Sequence, residues 1–188
     1  MSARSVVQKL EHGYVVHEGC DHVFFVGFLG AGKSTLARNI GHLFGRPFTD
    51  TDRIVERMYH CSLAQIYADG GEQAMRVAET SALQSLQSQK SLLVSCGGGI
   101  VESELNCQLM HEMGTVVYLE GELSDSLKQI QRTDRRPDLD LCSSPEELFA
   151  RRRPLYQKVS DYSVSITNKT FDEVAQITAQ LLWEKGLL

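Results

Sequence analysis

One segment of the sequence combines glycines, a lysine and hydroxyl side chains in a spacing that binds phosphate groups. Residues 27–35 read Gly-Phe-Leu-Gly-Ala-Gly-Lys-Ser-Thr, and they follow the apolar run 23–26. Glycines let the backbone curl so that successive N–H groups point inward, and a helix beginning at about Ser34 would add its partial positive charge. The sequence therefore predicts a phosphate-binding P-loop in preference to a glycine-rich turn that only connects a strand to a helix.

The loop side chains indicate which phosphate compound is bound. Lys33 can reach the β- and γ-phosphates of a nucleoside triphosphate, and the Ser34 hydroxyl can coordinate a magnesium ion. We therefore expect ATP with Mg²⁺, and a nucleotide site that also includes Gly30, Ala31, Gly32 and Thr35. Many P-loop proteins are GTPases or motor ATPases. A chain of 188 residues has little room for motor insertions and has no convincing Asn-Lys-x-Asp stretch, so a small kinase is favoured.

Two carboxylates predict an acceptor site beside the loop. Asp50 and Asp52 follow the second apolar run, and ligands of open α/β sheets bind at the carboxyl ends of strands. Side chains two residues apart on an extended segment point in the same direction. One carboxylate would act near magnesium through water, and the other would accept a hydrogen bond from a substrate hydroxyl and help to take its proton. The alternative role of Asp52 is a helix N-cap.

Glycines and arginines elsewhere extend this prediction. Gly97-Gly98-Gly99 follows the third apolar run, where a glycine N–H can approach a ligand closely, although a tight turn is the alternative. Arg76 lies four residues after Glu72 and three before Glu79, so a surface ion pair is its alternative explanation. An anionic ligand is also indicated by a cluster of arginines between residues 131 and 153, namely Arg132, Arg135, Arg136, Arg151, Arg152 and Arg153.

Composition excludes several other classes. The formal net charge of -5 disfavours a nucleic-acid partner, and no apolar run approaches the roughly 20 residues of a membrane span. The five cysteines lack zinc-site or redox spacing and are expected to be reduced. We expect a cytoplasmic monomer that binds small molecules, without nucleic-acid or membrane partners.

Alternation of apolar runs with helical segments predicts the elements that position these residues. The expected strands are 22–26, 47–49, 92–96, 115–119 and 163–166, and helices lie between them. Parallel strands joined by helical crossovers form a sheet covered on both faces, so we predict a three-layer α/β/α domain at 21–188. Residues 1–20 form an N-terminal extension of unassigned role, and Gly70 and Gly71 divide the helical region after Ser62.

Together these motifs resemble the shikimate kinase family over residues 22–185. The resemblance is carried by residues 27–35, 50–52, 71–79, 95–99, 132–137 and 152–156. It implies ATP-dependent phosphorylation of the 3-hydroxyl of shikimate, a step of chorismate and aromatic amino-acid biosynthesis. It also implies a nucleoside-monophosphate-kinase-like fold with five parallel strands in the order 2-3-1-4-5.

The resemblance further implies residue roles. Shikimate would contact Asp52, Arg76, Gly98 and Arg152, with the two arginines on its carboxylate. A lid at about 132–143 would bring Arg136 to the transferring phosphoryl group and Arg132 to adenine. Asp50 and Ser95 would act on magnesium through water, whereas Ser34 would bind it directly.

Two other functions remain open at this point. The first is a kinase for another hydroxylated anion, such as gluconate, or for a nucleoside monophosphate. The second is a regulatory module that binds ATP and has lost catalysis. A ring-sized pocket formed by Arg76 and Arg152 would favour shikimate, whereas a flat base-binding cleft would favour a nucleotide.

Overall fold

A computed structural model describes residues 8–11, 14–17, 20–129 and 144–188. Five strands form one parallel sheet, namely β3 (His22–Val26), β4 (Phe48–Asp50), β5 (Leu93–Ser95), β6 (Gly114–Glu120) and β7 (Tyr162–Ser165). Their order across the sheet is β4-β5-β3-β6-β7. Counted from β3, this is the order 2-3-1-4-5, and the predicted fold is confirmed.

Helices cover both faces of this sheet. They are α1 (Lys33–Phe44), α2 (Thr51–Tyr59), α3 (Leu63–Gln84), α4 (Glu104–Met113), α5 (Leu123–Gln129), α6 (Pro145–Val159) and α7 (Phe171–Glu184), with a short 3-10 helix at Ile100–Glu102. Alternate residues of β3 enter opposite cores: Phe24 packs with α2, α3, α4 and α6, and Phe25 packs with α1 and α7. The side chains of a strand alternate between faces, so the sheet separates two apolar cores.

Local sequence signals explain where several helices begin. The hydroxyls of Ser62, Ser144 and Thr170 accept hydrogen bonds from backbone N–H groups in the first turns of α3, α6 and α7. Of these three residues, Thr170 completes a capping box, because its backbone N–H also donates to the Glu173 carboxylate at 2.7 Å. Gly71 has a φ of 64° and ψ of −160° inside α3, so the predicted division of this helical region appears as a kink.

The last helix buries one stripe of side chains: Val174, Thr178 and Leu182 of α7 are buried, whereas Ile177 is exposed. In the N-terminal extension, β1 (Gln8–Glu11) pairs with β2 (Tyr14–His17) in an antiparallel hairpin outside the five-stranded sheet. Among the described residues, no helix has the length and apolar character needed to cross a bilayer.

Candidate active site

The carboxyl ends of β3, β4 and β5 bring the predicted donor and acceptor residues to one edge of the sheet. In the parallel register, Ser95 lies beside Phe25 of β3 on one side and beside Asp50 of β4 on the other. Each strand then turns into a segment that the sequence marked as functional: residues 27–35 after β3, residues 51–52 after β4 and residues 97–99 after β5. The parallel topology alone therefore assembles three segments that are far apart in the chain.

The P-loop needs glycine at two positions for different reasons. Gly27 has a φ of 147°, and a Cβ there would lie 2.8 Å from the carbonyl oxygen of Leu119 on β6. Gly32 has a φ of 86°, in the left-handed region, and it immediately precedes α1. Both conformations are costly for residues with side chains. The loop therefore curls against β6 and ends on the N-terminus of a helix, as an anion-binding loop requires.

Lys33 is the charged side chain inside this curl. It is only 8% exposed, and its Nζ donates hydrogen bonds to the carbonyl oxygens of Gly27 at 2.7 Å and Phe28 at 2.9 Å. Loop carbonyls thus keep the ammonium group near the backbone that would surround a phosphate. Such an ammonium group is a point charge suited to phosphate oxygens.

Ser34, Asp50 and Ser95 form an oxygen-rich group next to the loop. The Ser34 hydroxyl donates to Asp50 Oδ2 at 2.7 Å, and it lies 2.9 Å from the hydroxyl oxygen of Ser95. The described residues contain no group of three His, Cys, Asp or Glu side chains that could hold a metal by itself. One carboxylate and two hydroxyls fit magnesium better, since this ion keeps several waters and shares phosphate oxygens.

Asp50 and Asp52 differ from the sequence interpretation in one respect. Asp50 is the N-cap of α2, because its Oδ1 accepts the backbone N–H of Asp52 at 3.0 Å. The alternative N-cap role for Asp52 is therefore wrong, and Asp52 lies in the first helical turn and not on an extended segment. Its carboxylate still faces the site, since a Cβ on Gly97 would collide with Asp52 Oδ1.

Residues 97–99 form the floor beneath the acceptor side chains. A Cβ on Gly98 would lie 3.3 Å from Arg152 Nη1, and one on Gly99 would lie 2.5 Å from Arg76 Nη1 and 2.9 Å from Arg152 Nη2. The loop is anchored to its neighbours, since the Gly97 N–H donates to Thr51 Oγ1 at 2.9 Å. Glycine is needed here for space, so this segment is more than a turn.

The two predicted acceptor arginines, Arg76 and Arg152, both contact the carboxylate of Glu102. Arg76 pairs with both of its helical neighbours, Glu79 at 2.5 Å and Glu72 at 3.4 Å, as its spacing indicated. Burial alone would lower the pKa of Arg76, but the carboxylates of Glu79 and Glu102 raise it above its usual value. Arg76 is therefore cationic at every physiological pH.

Glu102 is the site residue that sequence reasoning missed. Its Oε2 lies 2.8 Å from Arg76 Nη2 and 3.2 Å from Arg152 Nη2, while its Oε1 lies 2.9 Å from Arg151 Nη2. Glu102 is 26 residues from Arg76 and 50 from Arg152, so no helical or strand spacing could have linked it to either. Only the 3-10 turn after Gly99 brings it there.

Tyr156 was part of the family motif but had no predicted role. It is fully buried, its hydroxyl donates to the Gly98 carbonyl oxygen at 2.7 Å, and its ring stacks on Tyr118 with centroids 5.3 Å apart. Tyr156 lies one helical turn after Arg152 on α6, and this spacing is the signal that could have found it. Its hydroxyl therefore holds the backbone of the glycine floor in place at Gly98.

The predicted lid at about 132–143 lies outside the described residues, and so do Arg132 and Arg136.

Cys96 directly follows Ser95 and is fully buried, and burial raises the pKa of its thiol well above the usual value. Cys96 is therefore protonated and acts as a small packing residue.

Comparisons with known proteins show which family the chain belongs to. The family model described as "Shikimate kinase" matches residues 29–182. A shikimate kinase of Dictyoglomus turgidum is 32% identical over 155 residues, which cover 80% of this chain and 90% of that protein. One of Acinetobacter baumannii (strain AYE) is 32% identical over 174 residues, covering 90% of this chain and 96% of the relative.

Solved structures give the same result. A structure described as shikimate kinase from Acinetobacter baumannii in complex with shikimate has a TM-score of 0.80 and 32% identity, covering 89% of this chain and 95% of that one. The shikimate kinase structure from Aquifex aeolicus has a TM-score of 0.74 and 28% identity, covering 88% and 98%. The fold, the predicted family and the phosphotransferase class are all confirmed. The chain belongs to the shikimate kinase family of ATP-dependent phosphotransferases.

Proposed function

We propose that this chain transfers the γ-phosphoryl group of ATP to the 3-hydroxyl of shikimate, giving ADP and shikimate 3-phosphate. The observation that carries the proposal is the convergence of two sites at one sheet edge. The P-loop with Lys33 and Ser34 is a phosphate site, and Arg76 with Arg152 is a carboxylate site. Support also comes from the Acinetobacter baumannii relative, which was solved in complex with shikimate.

On the donor side, Lys33 neutralises the β- and γ-phosphates as charge spreads over the transferring group. The contacts of Lys33 with two loop carbonyls would be exchanged for phosphate oxygens. Ser34 would hold a magnesium ion directly, while Asp50 and Ser95 would act through its water ligands. Magnesium, when bound, supplies charge neutralisation across the phosphates.

On the acceptor side, the guanidinium groups of Arg76 and Arg152 bind the shikimate carboxylate, and the backbone at Gly98 lies against the ring. Arginine suits this task because its planar fork matches a carboxylate. Asp52 accepts the hydrogen bond of the 3-hydroxyl and helps to take its proton. The hydroxyl oxygen then bonds to the γ-phosphorus as the bond from that phosphorus to the departing ADP oxygen breaks.

The lid residues complete the proposal. Arg136 would stabilise charge on the transferring phosphoryl group, and Arg132 would lie against adenine. Closure of residues 132–143 over both substrates would exclude water, which otherwise competes with the hydroxyl as acceptor. These roles derive from the family resemblance.

We further infer that residues 21–188 act as a single catalytic domain and a monomer in the cytoplasm. Cys20, Cys61, Cys96 and Cys107 are free thiols, which fits a reducing compartment. Light scattering coupled to gel filtration tests the oligomeric state, with a mass near the 21.0 kDa of one chain expected.

The direct experiment is ADP release from Mg-ATP with shikimate, gluconate, quinate or nucleoside monophosphates as acceptors. We expect release with shikimate at a kcat/KM at least tenfold above every other acceptor, and loss of that release in Asp52→Ala. A clear preference for gluconate or a nucleoside monophosphate would replace the proposed substrate. Tight ATP binding without release for any acceptor would instead identify a regulatory module.

A further inference from the structure

The carboxylate site contains an internal carboxylate that the proposed function does not explain. Glu102 Oε2 is shared between Arg76 Nη2 and Arg152 Nη2, the two guanidinium groups assigned to the acceptor. The Glu102 side chain is 9% exposed and that of Arg152 is 3% exposed. This one oxygen accepts hydrogen bonds from both guanidinium groups, and it restricts where the two side chains lie because a buried N–H group that loses its acceptor costs free energy.

Positive and negative groups are equal in number in the ion pairs around Glu102 that involve only described residues. Three guanidinium groups, those of Arg76, Arg151 and Arg152, face the carboxylates of Glu72, Glu79 and Glu102. An acceptor carboxylate would therefore be attracted mainly by correctly placed N–H donors and less by excess positive charge. One such donor is Arg76 Nε, which is buried and has no hydrogen-bond partner among the described residues. The placement of the two guanidinium groups thus controls affinity.

Glu102 contacts both guanidinium groups. Its Oε2 joins the arginine of α3 to the arginine of α6, and both arginines lie against the glycine floor. Glu102 itself ends the 3-10 turn that begins immediately after Gly99, so its position is tied to the floor. The Glu102 bridge therefore couples both arginines to the surface on which the acceptor ring would lie.

We propose that Glu102 is a positioning residue that fixes the spacing of Arg76 and Arg152 and thereby sets selectivity for a carboxylate-bearing acceptor. This inference rests on the proposed function and goes beyond it by assigning carboxylate selectivity to a residue that need not contact the acceptor. The bridging oxygen, and not the negative charge, carries the effect. Replacing the charge while keeping the oxygen should therefore preserve selectivity.

The test compares shikimate with its methyl ester, which keeps the ring hydroxyls but lacks the anion. The quantity measured is the ratio of kcat/KM for the acid to that for the ester, in wild type, Glu102→Gln and Glu102→Ala. We expect Glu102→Ala to lower this ratio about tenfold, mainly through a higher KM for shikimate, with KM for ATP unchanged. Glu102→Gln keeps an oxygen between the arginines and should keep the ratio within about threefold of wild type.

Glu72→Ala is the matched control. Glu72 pairs with Arg76 at 3.4 Å, has a half-exposed side chain and forms no bridge to another arginine among the described ion pairs. Its removal deletes one carboxylate from the same guanidinium group and should change the ratio by less than about twofold. If the effect came from a general loss of negative charge, Glu72→Ala and Glu102→Ala would lower the acid-to-ester ratio by similar factors. Equal ratios in these two variants would overturn the positioning role.

The outcomes separate this inference from the proposed function. An unchanged acid-to-ester ratio in Glu102→Ala, with active wild type, overturns the role of Glu102 and leaves the function intact. An equal loss in Glu102→Gln and Glu102→Ala shows that charge matters and also overturns it. A wild-type chain that does not phosphorylate shikimate overturns the function, and with it this inference.

If Glu102→Ala does not fold, the acid-to-ester ratios of Glu102→Gln and Glu102→Asp test the role of Glu102. Asp shortens the side chain that bridges the arginines and should lower the ratio, whereas Gln should not.

Discussion

The donor side of the active site and its acceptor side hold their cationic groups by different means. On the donor side, Lys33 is held by two backbone carbonyls within a nine-residue loop. On the acceptor side, Arg76 and Arg152 are held by carboxylates from α3 and from the turn after Gly99. A loop lysine can leave its carbonyls for phosphate at little cost, whereas a buried arginine depends on its carboxylate partners for stability. The two sides should therefore respond differently to substitution, the donor side in turnover and the acceptor side in affinity and stability.

The largest effect is expected on the donor side. Lys33→Ala should lower kcat by roughly 10³-fold, because a preorganised charge on the transferring phosphates is lost. The unfolding midpoint and shikimate binding should stay close to wild type, since both Nζ hydrogen bonds described above go to carbonyls of the lysine's own loop. Lys90→Ala, at an exposed position, is the control and should leave kcat unchanged. A kcat loss in Lys33→Ala matched by a comparable loss of shikimate affinity would remove the contrast between the sides.

On the acceptor side, Arg152→Ala should lower the free energy of unfolding by about 3 kcal/mol, because a partner is removed from a buried ion pair. Arg151→Ala is a matched control, since Arg151 faces the same Glu102 but is 54% exposed, and its loss should cost less than about 1 kcal/mol. Urea unfolding measures both variants. Equal stabilities of the two variants would mean that the buried network does not support the fold.

A single methyl group probes the acceptor floor without changing a charge. Gly99→Ala would place its Cβ 2.5 Å from Arg76 Nη1, and the flexible ends of the arginines can move aside. We expect the KM for shikimate to rise roughly tenfold, about 1.4 kcal/mol, with a nearly unchanged KM for ATP. Steady-state kinetics with each substrate varied in turn measures both values. A rise in the KM for ATP alone would contradict the division of the site.

The smallest effect concerns His22, which begins β3 at the sheet edge remote from both sides. Its Nδ1 accepts the N–H of Leu92 at 3.1 Å, so the proton lies on Nε2, which faces the Leu86 carbonyl at 3.1 Å. Burial lowers the pKa of His22 below 6.5, although its hydrogen bond to Leu86 opposes the shift. The unfolded chain then binds the extra proton first, so the free energy of unfolding should fall as pH drops below about 6.5. Comparing urea unfolding of wild type and His22→Asn between pH 7.5 and 5.5 measures this, and identical pH dependence in both would contradict it.

The same contrast explains what could be predicted from sequence. Residues 27–35 are contiguous, so the P-loop, its helix and the roles proposed for Lys33 and Ser34 follow from local spacing. The β3 strand was predicted with its observed ends because all of its residues except His22 are apolar. The order of the five strands followed from the family resemblance, because parallel crossovers alone permit several orders.

The acceptor side could be predicted only in part. The family resemblance predicted the roles of Arg76 and Arg152, and helical spacing predicted the ion pair between Arg76 and Glu79. Glu102 could not be predicted, since its partners come from distant segments that meet only in the fold. The position of Asp52 was reasoned from an extended backbone, but Asp50 already caps α2, so the helix begins one residue before Asp52. That cap competes with the strand geometry and prevails, because it satisfies a free N–H group of the helix.

Identification of the phosphorylated product tests most directly whether the phosphate loop and the arginine pair act on two substrates held at one sheet edge. ³¹P NMR of a reaction with Mg-ATP and shikimate should show ADP and a phosphate ester on the 3-hydroxyl in a one-to-one ratio, without free phosphate. Free phosphate as the main product, or an ester at a different hydroxyl, would contradict the assigned arrangement of donor and acceptor.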